Sequence, residues 1–195
     1  MSNPAPAGLT GPDTLPTGSQ LVIPHDEIQR ALDRLARDIT ADLADRRPLA
    51  ITIMQGGLVF AGQLLPQLRF ALDCDFIHAR RYGNETHGGE LEWLTGPHED
   101  VAGRTVLLLD DILDEGRTLA ALRGALLARG AEAVFVAAFA RKERSVPPVI
   151  EADYVGVTVP DLFVFGFGMD AAGAWRNLPA IYALPPDASG AEDDA

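Results

Sequence analysis

Lysine is nearly missing from this sequence. Of 16 basic residues one is a lysine, Lys142, and the rest are arginines. Cysteine also occurs once, as Cys74. A single thiol excludes an intrachain disulfide and a cysteine-built metal site, and it suits a reducing, cytoplasmic setting. No apolar run approaches the roughly 20 residues of a membrane helix, so no membrane contact is expected. The N-terminus has no basic region followed by an apolar block, so no secretory signal is expected either. Positive charge is scarce: 28 acidic residues against 16 basic ones leave a net charge of −12. That argues against a nucleic-acid partner, which needs a cationic stripe. Several catalytic motifs are absent too. The sequence has no Gly-x-x-x-x-Gly-Lys-Ser/Thr loop and no dinucleotide fingerprint of three spaced glycines. It has no His-x-x-x-His and no Gly-x-Ser-x-Gly elbow, so zinc and serine hydrolysis lack support. His25, His78, His87 and His98 share no ligand spacing.

What remains is a chain of 195 residues, enough for one domain with a sizeable core. Residues 1–20 are rich in Pro, Gly, Ser and Thr without periodicity, which predicts a disordered arm. Residues 185–195, "PPDASGAEDDA", predict a mobile acidic tail. Between them apolar patterns alternate. Ile28, Leu32, Leu35, Ile39 and Leu43 recur at helical spacing within 24–45. "LAITIM" (49–54), "CDFIHA" (74–79), "TVLLLD" (105–110) and "AVFVAAFA" (133–140) predict buried strands. Helices are predicted over 58–68 and over 117–129, the second ending at Gly130. This order predicts an α/β fold: a central, mostly parallel sheet flanked by helices. "YVGVTV", "LFVFGFG" and "IYAL" follow, and their short length predicts a smaller element packed beside the sheet. Residues 80–104 interrupt the rhythm with a polar, Gly-rich excursion, which reads either as a functional lid or as an exposed hairpin.

Two turns invite anions at the carboxyl ends of the predicted strands, where parallel sheets bind ligands. Gln55-Gly56-Gly57 and Asp114-Glu115-Gly116-Arg117-Thr118 each lead into a helix. First-turn amides there have no intrahelical acceptor, and glycine lets an anion come close. Asp110 and Asp111 precede the second turn at the end of a buried strand. Such a carboxylate pair is unfavourable unless it meets hydroxyls or a cation. Sugar hydroxyls and Mg²⁺ both answer that need. The combination suggests a phosphorylated sugar.

"VLLLDDILDEGRTL" (106–119) resembles the phosphoribosyl pyrophosphate (PRPP) signature of type I phosphoribosyltransferases. "MQGGLVFAGQLLPQL", "VGVTVPDLFVFGFGMD" and "WRNLPAIYAL" narrow the resemblance to the hypoxanthine-guanine branch, over about residues 21–184. The resemblance implies the type I phosphoribosyltransferase fold, with a small hood element within about 142–184 and a mobile lid loop within about 80–104. It implies purine salvage: IMP or GMP and pyrophosphate made from hypoxanthine or guanine and PRPP, with Mg²⁺. Asp114 would be the general acid/base at purine N7. Asp110 and Asp111 would bind the ribose hydroxyls, and Glu115, Gly116, Arg117 and Thr118 would cradle the 5′-phosphate. Gln55, Gly56 and Arg176 would meet pyrophosphate. Lys142, Phe163 and Val164 would bind the 6-oxopurine. Arg81 and Tyr82 would open the lid. Asp170, and Asp110 indirectly through water or ribose, would hold the metal. The family also implies a homodimer or homotetramer. Two rivals stand beside this reading: a PRPP- or nucleotide-sensing regulator on the same fold, and a transferase preferring xanthine.

Two positions depart from the family pattern. Glu115 stands where Thr or Ser is frequent, and a carboxylate in a phosphate cradle should turn outward, balanced by Arg117 or water. Gln55 stands where some relatives have Lys, so its contact with pyrophosphate would be neutral. A non-proline cis peptide is expected at Met54–Gln55.

Overall fold

Alternation along the strands feeds two cores, one on each face of a single sheet. The computed structural model describes residues 14–82 and 90–185, with side chains at all of these except 80–82 and 90–92. The main sheet has six strands: β2 (Leu49–Met54), β3 (Asp73–Tyr82), β4 (Glu90–Thr95), β5 (Thr105–Leu113), β6 (Ala133–Glu143) and β7 (Tyr154–Pro160). Their spatial order is β4-β3-β2-β5-β6-β7. All neighbours are parallel except β4, which returns antiparallel to β3. In β5, Val106 and Leu108 face one core while Leu107 and Leu109 face the other. The period of two that makes a strand thus explains why these strands read as unbroken apolar runs.

Helix α1 (His25–Leu43) and helix α2 (Gly57–Leu64) cover one face, and α3 (Arg117–Ala128) covers the other. Along α1, Ile28, Leu32, Leu35, Ile39 and Leu43 are all buried, as their helical spacing requires. Each such burial stabilises by about 1.5–3 kcal/mol. Helix α3 ends in a Schellman motif: Ala131 N–H donates to Leu126 O at 3.1 Å and Gly130 N–H to Leu127 O at 2.9 Å. Gly130 carries the left-handed φ of 90° that this cap demands.

The small element is a three-stranded antiparallel sheet in the order β1 (Gln20–Ile23), β9 (Ile181–Leu184), β8 (Phe163–Phe165). Its membership differs from the sequence expectation. "YVGVTV" is not part of it: as β7 it extends the main sheet, with Ala137 opposite Tyr154 and Lys142 opposite Val159. Lys142 therefore also lies on the main sheet, outside the hood. In exchange the hood takes β1 from upstream of α1, pairing Gln20 with Ala183. So Gln20 opens a strand rather than closing an arm, and Ser19 before it is already held, its N–H 3.1 Å from Pro16 O. Residues 1–13 and the acidic tail from 186 lie outside the described residues.

The excursion at 80–104 begins as a hairpin. β3 continues to Tyr82 and pairs with Glu90 of β4. The side chains of Arg81 and Tyr82 lie outside the described residues, as do residues 83–89. After β4 the chain is fastened by Asp75, whose side chain is 4% exposed. Its carboxylate accepts from the backbone N–H of Phe76, His98 and Glu99 at 2.7, 2.6 and 2.9 Å, and lies 3.0 Å from His98 Nδ1. Burial pushes the Asp75 carboxyl up, but these donors outweigh it and hold it below the ordinary carboxylate range. Asp75→Asn should therefore lower stability by about 1–3 kcal/mol at neutral pH. A depressed folded-state pKa contributes stability that is present above the unfolded value and lost as pH falls through the folded one. Thermal melts against pH should show the wild-type advantage shrinking in acid; a gap that widens there would contradict the assignment.

Candidate active site

The parallel strands β2, β5 and β6 all end on the same side, and their carboxyl ends meet the hood there. Two cavities open at that junction. One, of about 490 Å³, is lined by residues 53–56, by Asp110 to Ile112, by Asp114 to Leu119 and by Arg176. The other, of about 300 Å³, is lined among others by Lys142, Phe163, Val164, Met169 and Asp170. They share a wall made of Asp111, Ile112 and Asp114.

In the larger cavity, α3 begins at Gly116, whose φ of 75° turns the strand into the helix. A Cβ there would meet Ile150 Cγ2 at 2.8 Å and Leu113 Cδ1 at 3.0 Å, so with the left-handed φ any other residue is strained and crowded. Gly116 to Leu119 line this cavity, and the first-turn amides of a helix have no helical acceptor, which suits a site to phosphate. Glu115 is balanced by Arg117. Its Oε2 lies 2.9 Å from Arg117 Nε, with both side chains about half exposed. Replacing Glu115 by Thr frees Arg117 and removes one screened negative charge. PRPP KM, measured from initial rates, should stay level or fall by up to about fivefold; a large rise would show that Glu115 assists binding.

On the opposite wall, Met54–Gln55 is a cis peptide, as expected. Gly56 follows and lies hard against Asp111: a Cβ on Gly56 would fall 2.0 Å from Asp111 Oδ2. Gly168 of the hood closes in from above, at φ 106°, where a Cβ would meet Gly56 O at 2.2 Å. Two glycines thus let the backbone of the turn and of the hood close directly on each other and on the Asp111 side chain. Asp111 is 9% exposed and Asp110 partly so. Burial pushes the Asp110 carboxyl well above the ordinary range, and repulsion from Asp111 adds to this. Burial raises Asp111 as well, against the opposing pull of Asp110's hydrogen bond and of Arg176. These are carboxylates short of positive charge. Among the described residues no group of three His, Cys, Asp or Glu is placed to hold a metal ion. Two neighbouring carboxylates short of positive charge are a donor set of the kind that suits a cation completing its shell from substrate and water, as Mg²⁺ does.

Arg176 reaches the rim, donating to Gly168 O at 2.6 Å and lying 2.6 Å from Asp170 Oδ1. The other oxygen of Asp170 accepts from Gly173 N–H at 2.8 Å. Both Asp170 oxygens thus have one partner, and each keeps a lone pair for a further donor or cation.

The smaller cavity is roofed by the hood. Of the three alternating phenylalanines, Phe163 is 40% exposed and Phe165 and Phe167 are fully buried. One ring is therefore available to a ligand and two are core. Lys142 is not a solvated turn residue: its side chain is 16% exposed, and Nζ lies 2.9 Å from Asp114 Oδ2. Arg144 holds the other oxygen of Asp114, Oδ1. Partial burial raises the Asp114 carboxyl, but hydrogen bonds from Lys142 and Arg144 overcome this and leave it lowered. Arg144 went unassigned from sequence. It lies just past the end of β6, and only the fold brings it to Asp114, 30 residues earlier.

Residues 24–172 match the phosphoribosyl transferase domain model. The hypoxanthine-guanine phosphoribosyltransferase of Bacillus subtilis (strain 168) is 35% identical over 168 residues, which are 86% of this chain and 93% of that protein. The bifunctional protein TilS/HprT of Listeria innocua is 37% identical over 169 residues, 86% of this chain, but the chain spans only 26% of its length. A crystal structure of a hypoxanthine phosphoribosyltransferase from Staphylococcus aureus matches with a TM-score of 0.81 at 27% identity, covering 87% of this chain and 93% of that one. With its fold, its two joined cavities and these relatives, the chain belongs to the phosphoribosyltransferase family, in the hypoxanthine-guanine branch.

Proposed function

We propose that the chain transfers the phosphoribosyl group of PRPP to hypoxanthine or guanine, releasing pyrophosphate and forming IMP or GMP. The observation that carries this is the wall of Asp111, Ile112 and Asp114 between the two cavities. A sugar phosphate on one side and a flat base on the other would meet over Asp114. The amides from Gly116 to Thr118 would take the 5′-phosphate, Asp110 and Asp111 the ribose hydroxyls, and Gln55, Gly56 and Arg176 the pyrophosphate. Phe163 would stack on the base, Lys142 would donate to its 6-oxo group, and the Val164 backbone would read its edge.

The bond from C1 to pyrophosphate breaks and the bond from N9 to C1 forms. As N9 attacks, the proton on N7 passes to Asp114. Such proton transfer needs a carboxylate that is ionised before the base arrives, which the lowered Asp114 supplies. Asp110 and Asp170 would hold Mg²⁺, Asp110 through water or ribose. Bound with PRPP, Mg²⁺ would neutralise charge gathering on the departing pyrophosphate. Arg81 and Tyr82 would belong to a lid that keeps water from the reacting carbon. A homo-oligomer in the cytoplasm completes the reading.

Incubation with PRPP, Mg²⁺ and each of hypoxanthine, guanine and xanthine tests it. Nucleotide should form with the first two. Product only from xanthine would move the specificity, and tight PRPP binding without any product would favour a sensor.

A further inference from the structure

Asp114 must take a proton at one carboxylate oxygen while Lys142, now bonded to that carboxylate, turns to the incoming base. Something else has to keep Asp114 charged and in place during this exchange. We infer that Arg144 is the positioning residue for Asp114, gripping Oδ1 from behind so that Oδ2 alone is presented to the purine. The inference rests on the transferase reading above.

The geometry divides the two cations. Lys142 lines the base cavity and bonds Oδ2 at 2.9 Å. Arg144 lines neither cavity, yet it bonds Oδ1. It therefore stands on the side of Asp114 away from substrate. Arg144 is itself held. Its guanidinium lies 3.8 Å from Glu115 Oε1 and 3.8 Å from Asp161 Oδ1 of the turn between β7 and β8. The chain just beyond it is tied to the same loop, with Val149 N–H donating to Glu115 O at 2.9 Å. Arg144 thus links the acid/base residue, the phosphate loop and the approach to the hood. A planar guanidinium with several donors can serve three carboxylates at once, which an ammonium does less well.

The charged groups around Asp114 are therefore Lys142 from β6, Arg144 beyond it, and Glu115 with its partner Arg117 on the loop. Asp161 acts through Arg144, and Asp110 and Asp111 stand on the strand before it. When Lys142 leaves Oδ2 for the 6-oxo group, Arg144 is the remaining cation in direct contact with Asp114.

Arg144→Ala, Arg144→Gln and Arg144→Lys test this, assayed with hypoxanthine, PRPP and Mg²⁺ across pH. Ala and Gln should lower kcat on the order of 10- to 100-fold, the loss expected when a reacting group is misplaced. PRPP KM should stay within about twofold, because Arg144 is set behind the wall. The acidic limb of kcat/KM for the base should move to higher pH, since Asp114 loses a cation. Lys should restore part of kcat and of the limb. Gln keeps a polar side chain at the position and Lys keeps the charge on a chain of similar reach, so this pair decides the matter even where Ala impairs folding. An active wild type whose Gln variant keeps its kcat and its acidic limb would overturn the role of Arg144 alone. Equal loss in Gln and Lys would also overturn it, since charge would then not matter. A wild type that makes no nucleotide would instead overturn the transferase reading itself.

Discussion

Asp114→Asn should reduce turnover by about 10²- to 10⁴-fold while PRPP still binds. The amide cannot accept the N7 proton, so the attack of N9 loses its base. Binding survives because the groups proposed for PRPP lie elsewhere, on Asp110, Asp111 and the amides that begin α3. Two cations, Lys142 and Arg144, lose their anion in this variant. The loss of one negative charge beside a polyanionic substrate means that PRPP affinity should hold or rise. Single-turnover rates and calorimetric titration of PRPP separate the two effects. Turnover within threefold of wild type would remove Asp114 from the proton transfer.

Gly168→Ala should damage both stability and pyrophosphate handling. At φ 106° an L-residue is strained, and its Cβ would lie 2.2 Å from Gly56 O and 3.3 Å from Asp111 Cβ. The first neighbour is backbone and has no rotamer to change. Strain and overpacking together should cost about 3 kcal/mol or more, a fall in Tm of roughly 6–12 °C. The hood would have to lift, taking Arg176 with it, because Arg176 donates to Gly168 O. PRPP KM should rise at least about tenfold. Gly173→Ala is the control. It sits at φ 78° with nothing within 4 Å of the added carbon. It carries strain without collision, about 1 kcal/mol, and should leave KM alone. Equal effects from both would mean the close approach is unimportant.

Sequence made the main sheet legible because each buried strand is an apolar run with punctuation at both ends. It misplaced "YVGVTV" for a physical reason: periodicity tells which face a side chain takes but not which sheet a strand joins. β1 escaped notice because "QLVI" is short and follows a Pro- and Gly-rich stretch, and its partner β9 lies at the other end of the fold. Asp110, Asp111, Asp114 and the loop to Thr118 were legible as a unit, being contiguous. Arg144 was not, because its meaning depends on Asp114, 30 residues earlier. Lys142 stood out as the sole lysine, but only the fold brings it against Asp114. The hold of Asp75 on the loop at His98 and Glu99 was likewise hidden, since it is made across 23 and 24 residues.

The hood closes with strands from opposite ends of the described chain, β1 before α1 and β9 after everything else. On a ribosome the chain emerges N-terminus first, so β1 waits unpaired until β9 appears. The strands β2 to β6, from Leu49 to Glu143, are synthesised before it. Until β9 arrives, β8 has no partner in the hood and Phe163 has no fixed place above the base cavity. The strand ends that carry the anion loops can therefore be in place before the segment from Gly168 to β9 closes over both cavities. Among the described residues β9 is the last strand to be made, and it is the one that would complete the proposed base site.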